Sequence, residues 1–134
     1  MGLILVDTSV WVDYFRGRET EAVSYVSDAI EKEEDLCVCG IVLTEVLQGI
    51  PAQKDYEIIK AHFDRLIFLP MPESSYILAA DIYRQARSKG ATIRSTVDCL
   101  IAACAIVHRA GLVHNDKDYE TIAKFSKLEV INIK

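Results

Sequence analysis

Short apolar runs alternate with longer segments of mixed polarity along the whole chain. The runs cover residues 3–6, 36–38, 67–69, 112–114 and 130–133. They lack apolar/polar alternation, which is typical of strands that are covered on both faces. The intervening segments predict helices over residues 9–15, 19–31, 42–48, 55–64, 73–89, 97–110 and 119–125. Strands that alternate with helices predict an α/β sandwich with a parallel sheet.

Glycines mark the ends of several predicted helices. Gly49, Gly90 and Gly111 fall where helices should stop, so we expect each to adopt the left-handed conformation that follows a helix. The chain has only 6 glycines and 3 prolines in 134 residues, and no repeat or linker divides it. We therefore expect a single domain over residues 1–134.

Composition excludes several classes of protein. With 51% hydrophobic and 26% charged residues, the chain does not resemble a disordered protein. Its longest apolar runs are far shorter than the roughly 18 residues that cross a bilayer. The first 15 residues carry no basic head of the kind found in secretory signals. We expect a soluble cytoplasmic protein without a membrane partner.

The net charge and the cysteine spacing argue against a broad nucleic-acid-binding surface and against a zinc site. The net charge of −5 provides no broad attraction for nucleic acid, so any contact with RNA or DNA must be local, metal-assisted or shared with another subunit. Four cysteines occur as Cys37-x-Cys39 and Cys99-x4-Cys104, and neither spacing is that of a zinc knuckle. We expect all four to be buried, reduced thiols.

Acidic residues stand at the junctions where such a sheet would form a site. Asp7 directly follows the first predicted strand, and Asp116 and Asp118 follow the fourth. Glu45 lies within an apolar helix, and Asp98 opens another helix. Ligands of open parallel sheets bind beyond the carboxyl ends of the strands. The pattern therefore indicates a cluster of carboxylates at one edge of the sheet.

Each acid also has an ordinary structural explanation. Asp7 could cap the helix after the first strand, and Asp98 could be the acidic partner in a helix start that begins at Ser95. Glu45 could extend into solvent, and the acids after the fourth strand could be turn residues. Taken one at a time, these explanations remain open.

Together, the acids favour a bound cation. Two carboxylates ~4 Å apart repel each other by about 4 kcal/mol at an effective dielectric constant near 20. Three or four of them cannot all remain ionised without a positive charge between them. Ligands made only of carboxylate oxygen suit Mg²⁺ or Mn²⁺ better than zinc, and such sites commonly act on phosphates.

Four segments resemble those of the PIN-domain nucleases, and among these the VapC-type ribonuclease toxins of toxin–antitoxin pairs. They read ILVDTSVW from residue 4, LTEVLQG from residue 43, TVDCLIAA from residue 96 and HNDKDY from residue 114. The resemblance runs from Leu3 to Ile131, with the motifs in the family's order. It implies a three-layer sandwich with a central parallel five-stranded sheet.

The resemblance also implies an activity and a set of site residues. It implies an endoribonuclease that depends on one or two Mg²⁺ or Mn²⁺ ions and hydrolyses RNA phosphodiester bonds with a metal-activated water. The catalytic, metal-binding acids would be Asp7, Glu45, Asp98 and Asp116, with Asp118 as an accessory ligand. Thr8 and Asn115 would hydrogen-bond these carboxylates or the scissile phosphate. Tyr119 stands where Phe is commoner in the family, a change expected to preserve the packing.

Partners follow from the same resemblance. It implies a homodimer, a cognate VapB-type antitoxin and an RNA substrate, for which transfer RNA and ribosomal RNA are frequent choices. Arg94 and Arg16 are candidates for contacts with RNA phosphates or with the antitoxin. Trp11 and Tyr14, three positions apart on the first helix, indicate core or interface packing rather than base stacking, and the resemblance favours an interface.

Other functions are compatible with parts of the pattern. A PIN-type nuclease in RNA processing and a non-catalytic PIN interaction module both retain the fold. Receivers and haloacid-dehalogenase phosphatases also use a strand-end aspartate with Mg²⁺. The latter need a second acid two residues after Asp7, where this chain has Ser9. A receiver needs a strand-end lysine, and Lys117 is not in that position.

Overall fold

A computed structural model describes residues 2–133 of the chain. Within this range the chain forms four strands and seven helices. The strands are β1 (Ile4–Val6), β2 (Leu36–Cys39), β3 (Ile67–Leu69) and β4 (Gly111–Val113). The helices are α1 (Thr8–Phe15), α2 (Glu21–Glu31), α3 (Gly40–Gln48), α4 (Gln53–Phe63), α5 (Glu73–Ser88), α6 (Thr96–His108) and α7 (Lys117–Lys124). Every predicted helix is present, with ends that differ by at most two residues.

The strands form one parallel sheet in the order β3–β2–β1–β4. Ile4 of the central strand β1 is aligned with Leu36 on one side and with Gly111 on the other. The chain moves outward from β1 to β3 and then returns to the opposite side of β1 for β4. In open parallel sheets, ligands bind at the carboxyl ends of the strands where the direction of winding reverses in this way. That point lies between β1 and β4.

Helices cover both faces of the sheet. Most helix–helix contacts fall into two groups, one among α1, α2, α3 and α4 and the other among α5, α6 and α7. Right-handed crossovers account for this division, because the chain winds one way before β3 and the other way after it. The predicted three-layer α/β sandwich is confirmed. None of the helices between residues 2 and 133 is both long enough and apolar enough to cross a bilayer.

The predicted fifth strand is wrong as a full strand. Val130 of this segment pairs with Leu112 of β4, and this pairing is an isolated parallel bridge. Two backbone hydrogen bonds hold this bridge, from Leu112 N–H to the carbonyl of Glu129 and from Ile131 N–H to the carbonyl of Leu112, both at 2.9 Å. β4 is only three residues long, which leaves little room for a longer ladder.

The three glycines behave differently from one another. Gly90 follows α5 with a φ of 77°, as predicted. Gly49 ends α3 at an ordinary φ of −87°. Gly111 lies in β4, where a Cβ would come within 2.8 Å of the Ile131 side chain, so it is needed for close packing. The left-handed residue after α6 is Arg109, with a φ of 55°.

β3 also departs from the prediction that every strand is covered on both faces. It is an edge strand, and Ile67 and Phe68 are 41% and 54% exposed. An apolar run of three residues cannot distinguish a central strand from an edge strand, because it has no periodicity to read. The exposure leaves an apolar surface on this side of the molecule.

The cysteines and the first helix form part of the core. All four cysteines are buried and free, as predicted. Trp11 is completely buried and packs on the rings of Phe15 and Phe63, with centroids 5.7 and 5.4 Å away. For Trp11 the core alternative is therefore correct and the preferred interface is wrong, because its ring contacts the interior. Tyr14 is only partly buried.

Candidate metal centre

Asp7 stands between β1 and α1 and is the N-cap of that helix. Its Oδ2 accepts hydrogen bonds from the backbone N–H and the hydroxyl of Ser9, at 3.2 and 2.7 Å. Its Oδ1 accepts a hydrogen bond from the Tyr119 hydroxyl at 2.6 Å. Asp7 is only 5% exposed. The ordinary explanation of this acid as a helix cap is correct, and the same carboxylate also faces the other acids.

Asp116 and Asp118 follow β4 in a similar arrangement. Asp116 is the N-cap of α7, and its Oδ1 accepts a hydrogen bond from the backbone N–H of Asp118 at 2.9 Å. The backbone N–H of Asp116 donates to Nδ1 of His114 at 3.1 Å. Asp118 is buried. The backbone N–H of Asp7 donates to the carbonyl of Val113 at 2.9 Å, which holds the ends of β1 and β4 together.

The first turn of α6 brings a further acid to the same place. Ser95 is the N-cap of α6 and accepts the backbone N–H of Asp98 at 3.4 Å. One carboxylate oxygen each from Asp98, Asp116 and Asp118 lie within 4.8 Å of one another. The Tyr119 hydroxyl lies 3.3 Å from Oδ1 of Asp98 and therefore links this group to the acid after β1. We call Asp7, Asp98, Asp116 and Asp118 the acidic site.

Glu45 lies next to the acidic site rather than within it. Its Oε1 accepts a hydrogen bond from the hydroxyl of Thr8 at 2.6 Å, and Thr8 directly follows Asp7. In the part of the chain that the structure describes, Glu45 is not among the three acids that approach within 4.8 Å. The pairing of Thr8 with one of the predicted acids is thus present, and the acid concerned is Glu45.

The acidic site is electrostatically strained without a cation. Burial, followed by the negative charges of Asp7 and Asp116, raises the pKa of the Asp98 carboxyl from its ordinary value to about 7. Burial and the Asp7 carboxylate raise the pKa of the Tyr119 phenol well above its ordinary value, so the hydroxyl remains a donor. A proton or a positive charge near Asp98 is therefore favoured at neutral pH.

Arg94 supplies a positive charge at the rim of the acidic site. Its Nη2 lies 3.5 Å from Oδ1 of Asp116 and its Nε 3.4 Å from Oδ1 of Asp118. Its backbone N–H also donates to Oδ2 of Asp118 at 3.2 Å. The Arg94 side chain is 72% exposed, so these ion pairs are well solvated and individually weak. Arg16 is exposed beyond the end of α1 and makes no such pair with the acids.

Sequence reasoning missed two donors and left one residue untested. The hydrogen bonds of Ser9 and Tyr119 to Asp7 were not predicted, although the presence of Tyr where Phe is commoner was a signal for the second. Asn115 is exposed, and none of the hydrogen bonds between residues 2 and 133 joins its side chain to an acid. Its contact with a scissile phosphate stays a prediction.

The donor set fits a divalent cation. Asp98, Asp116 and Asp118 offer only carboxylate oxygens, which are hard ligands. Their mutual distances are short enough for one ion to reach all three. The raised pKa of Asp98 agrees with this, because a cation would offset both its burial and its repulsion by Asp7 and Asp116.

Two apolar surfaces border this region, and Glu45 lines both of them. The first, which we call the Ile58 groove, lies between α1, α3 and α4 and also contains Arg16. Its apolar side chains are Val12, Phe15, Val46, Ile50, Pro51, Ile58 and Ile59. The second, which we call the Phe68 patch, lies beside the edge strand β3. Its apolar side chains are Ile41, Phe68, Leu69, Met71 and Tyr76.

Known proteins are similar to the chain over nearly its whole length. The family model for the PIN domain matches residues 4–125. Ribonuclease VapC11 of Mycobacterium tuberculosis is 35% identical over 134 residues, which cover 98% of this chain and 100% of that protein. VapBC2 from Rickettsia felis, solved with a DNA fragment from its promoter, has a TM-score of 0.77 at 19% identity and covers 97% of this chain and 98% of its own.

A third comparison gives the same fold. The structure of VapBC-5 from Mycobacterium tuberculosis, a member of the VapBC family of toxin–antitoxin systems, has a TM-score of 0.67 at 18% identity. The match covers 99% of this chain and 100% of that chain. The described fold is therefore that of PIN-domain proteins.

The pKa of Asp98 makes a prediction about stability in the absence of metal. The pKa of the Asp98 carboxyl is about 7 in the folded protein, above its value of about 4 in the unfolded chain. The protonated carboxyl therefore contributes stability that is complete below about pH 4 and is lost as the pH rises through 7. In EDTA at pH 8, Asp98→Asn should therefore raise Tm by roughly 3–6 °C. At pH 4 the two proteins should melt alike, as measured by circular dichroism.

Asp28→Asn is the matched control, because Asp28 is exposed on α2. It should leave Tm within about 1 °C of the unsubstituted chain at both pH values. An Asp98→Asn protein that melts at or below the Tm of the unsubstituted chain at pH 8 would contradict the unfavourable burial and repulsion of this carboxylate.

Proposed function

We propose that this chain, which belongs to the PIN-domain family and within it to the VapC ribonucleases, is a metal-dependent endoribonuclease and the toxin of a VapBC-type pair. The observation that carries the proposal is the approach of three carboxylates to within 4.8 Å beyond the ends of β1 and β4. The identity of 35% to Ribonuclease VapC11 over 98% of the chain supports the same activity.

The acids would hold the ion. Asp98, Asp116 and Asp7 would be the principal ligands of Mg²⁺ or Mn²⁺, with Asp118 binding directly or through water. Glu45 would serve a second ion or the attacking water. A divalent ion bound there lowers the pKa of a water molecule and offsets the charge that develops on the phosphate oxygens.

The remaining polar groups would orient the reaction. Thr8 donates to Oε1 of Glu45 at 2.6 Å, which leaves Oε2 free to accept a proton from the attacking water. In-line attack would then produce a 5′-phosphate and a 3′-hydroxyl without using the neighbouring 2′-hydroxyl. Arg94 and Arg16 would bind flanking phosphates, and Asn115 the scissile one. The exposure of the Arg94 guanidinium supports this, because it can leave the acids for a phosphate at low cost.

The proposed activity predicts a strict dependence on metal and on Asp98. Purified protein should cleave transfer RNA or ribosomal RNA in Mg²⁺ or Mn²⁺ and leave a 5′-phosphate, as read by gel electrophoresis and end-labelling. EDTA or Asp98→Asn should lower the rate by about 100-fold or more, because both remove charge stabilisation at the phosphate. Asp28→Asn should cleave at the unsubstituted rate.

The outcomes separate the alternatives. Cleavage of single-stranded DNA of matched sequence in preference to RNA would contradict the assignment of an RNA substrate. A protein that binds metal but cleaves none of these RNAs would favour a non-catalytic interaction module. Cleavage restricted to a precursor RNA, without inhibition by a partner, would favour a role in RNA processing.

We assign the Ile58 groove to a VapB-type antitoxin. Both solved structures compared above have VapBC names, and one belongs to toxin–antitoxin systems. The groove has an apolar floor, and Ile58 is 60% exposed, as expected of a surface that receives the apolar face of a helix. Because Glu45 lines the groove, a segment bound there would lie beside the acidic site and hinder the approach of RNA.

The antitoxin assignment predicts that Ile58→Glu abolishes inhibition. The partner tested would be the small protein encoded by the reading frame next to this one. It should suppress RNA cleavage by the unsubstituted chain and co-purify with it, while Ile58→Glu should lose both effects with its cleavage rate intact. Glu57→Ile, at the neighbouring exposed position of α4, is the control for a change of charge. Equal inhibition of Ile58→Glu would contradict the assignment.

We assign the Phe68 patch to a homodimer. The patch combines an open strand edge with Phe68 at 54% and Tyr76 at 50% exposure. Apolar side chains at an unpaired edge are unusual in a protein that stays monomeric, because edges of this kind promote association. Pairing through this edge would cover both aromatic rings.

The homodimer assignment predicts that Phe68→Glu yields a monomer. Light scattering after size-exclusion chromatography should give a dimer for the unsubstituted chain and for Ile58→Glu, and a monomer for Phe68→Glu. The expected reason is that two introduced carboxylates would be buried opposite each other. A dimer that survives Phe68→Glu, with an unchanged Tm, would exclude this surface.

A further inference from the structure

The Tyr119 hydroxyl is the polar end of a side chain that is otherwise part of the core. Tyr119 lies in the first turn of α7 and is completely buried. Its hydroxyl donates to Oδ1 of Asp7 at 2.6 Å and lies 3.3 Å from Oδ1 of Asp98. One phenol therefore reaches two carboxylates that come from different elements, the end of β1 and the first turn of α6.

Packing alone does not account for this hydroxyl. A Phe ring would fill nearly the same volume, and a buried hydroxyl carries a desolvation cost unless it is hydrogen-bonded. Here the cost is met by the hydrogen bond that the hydroxyl donates to the Asp7 carboxylate, because a hydrogen bond to a charged acceptor is the stronger kind. The position of the hydroxyl is thus coupled to the positions of the Asp7 and Asp98 carboxylates.

The donors around Asp7 restrict how it can bind a cation. Oδ2 already accepts two hydrogen bonds from Ser9. Oδ1 accepts one from Tyr119. Because each carboxylate oxygen offers about two lone-pair sites, the free acceptor site of Asp7 is on Oδ1. Asp7 can therefore contribute one ligand bond, through the oxygen that Tyr119 also holds.

We propose that Tyr119 is a positioning residue for the metal ligands, whose hydroxyl orients Oδ1 of Asp7 toward Asp98 before the cation arrives. The proposal rests on the metal site of the proposed function. Tyr119 does not itself contact the cation or the RNA. Its donated hydrogen bond offsets part of the repulsion between the two carboxylates, and removing it allows them to turn apart.

The energetic consequence appears in the affinity for metal. Carboxylates that have turned apart must turn back toward each other when the cation binds. The free energy that this requires weakens the binding of the cation. Hydrogen bonds that orient metal ligands typically change metal affinity by about 10- to 100-fold. Because the second contact of the hydroxyl, to Asp98, is long at 3.3 Å, we expect the lower end of this range.

The test is Tyr119→Phe, with Mn²⁺ as the probe and isothermal titration calorimetry as the measurement. The protein is first freed of metal with EDTA and titrated well below the lower of the two Tm values. The dissociation constant for Mn²⁺ should rise about 10-fold. Tyr25→Phe is the matched control, since Tyr25 is a partly buried tyrosine on α2 outside the acidic site, and it should bind Mn²⁺ like the unsubstituted chain.

A second measurement separates positioning from loss of structure. In RNA cleavage by Tyr119→Phe, the Mn²⁺ concentration for half-maximal rate should rise by the same factor, while the rate at saturating Mn²⁺ returns to within about twofold of the unsubstituted value. A variant that is merely less well folded would lose rate at every Mn²⁺ concentration. That result, with an unchanged dissociation constant, would overturn the proposal.

Two other outcomes would also overturn it. Tighter binding of Mn²⁺ by Tyr119→Phe would mean that the hydroxyl competes with the cation for Asp7. If the unsubstituted chain binds no Mn²⁺, the acidic site is not a metal site and Tyr119 has no metal ligands to position. The titration needs no RNA. A chain whose affinity for Mn²⁺ falls in Tyr119→Phe, but which cleaves no RNA, would therefore contradict the proposed function and leave this inference standing.

Discussion

Several carboxylates share the small space beyond the carboxyl ends of β1 and β4, and their repulsion has to be offset by donors or cations. The arrangement follows from the sheet, because the winding reverses between these two strands and brings their ends together. Asp7 and Asp116 are thereby neighbours although they are far apart in sequence. The first turn of α6 adds Asp98. Burial and the neighbouring carboxylates raise its pKa to about 7.

Two kinds of group offset this repulsion, and they differ in mobility. Tyr119 is a neutral donor that is completely buried, so its hydroxyl stays in one position. Arg94 is a full positive charge with a side chain that is 72% exposed, so its ion pairs are solvated and easily exchanged. A fixed donor preserves the geometry of the acids, whereas an exchangeable cation neutralises them until another positive charge takes its place.

Much of the fold could be predicted because it depends on local signals. Helix lengths, the alternation of strands and helices, and acids directly after apolar runs are all visible within short windows of sequence. Asp7 and Asp116 could be brought together only because a general rule for parallel sheets connects distant strand ends. The rule does not predict the position of Glu45, because this residue lies within a helix and not at the end of a strand.

The remaining features depend on contacts that no short window contains. Tyr119 meets Asp7 across 112 positions and Arg94 meets Asp118 across 24, so neither pairing leaves a local pattern. The exposure of β3 and the reduction of the last strand to a single bridge depend on position in the sheet. Arg109 adopts the left-handed conformation in place of a glycine, at a cost of about 1–2 kcal/mol that the surrounding structure has to outweigh.

Asp7 and Asp116 each begin a helix with the same carboxylate that faces the acidic site. Asparagine begins helices about as well as aspartate does, whereas alanine does so poorly. Substitution by alanine at either position would lower both the stability of the fold and the affinity for metal. Substitution by asparagine would lower the affinity for metal and leave the helix cap in place. Inactive descendants of this chain should therefore carry amides at these two positions more often than small apolar residues.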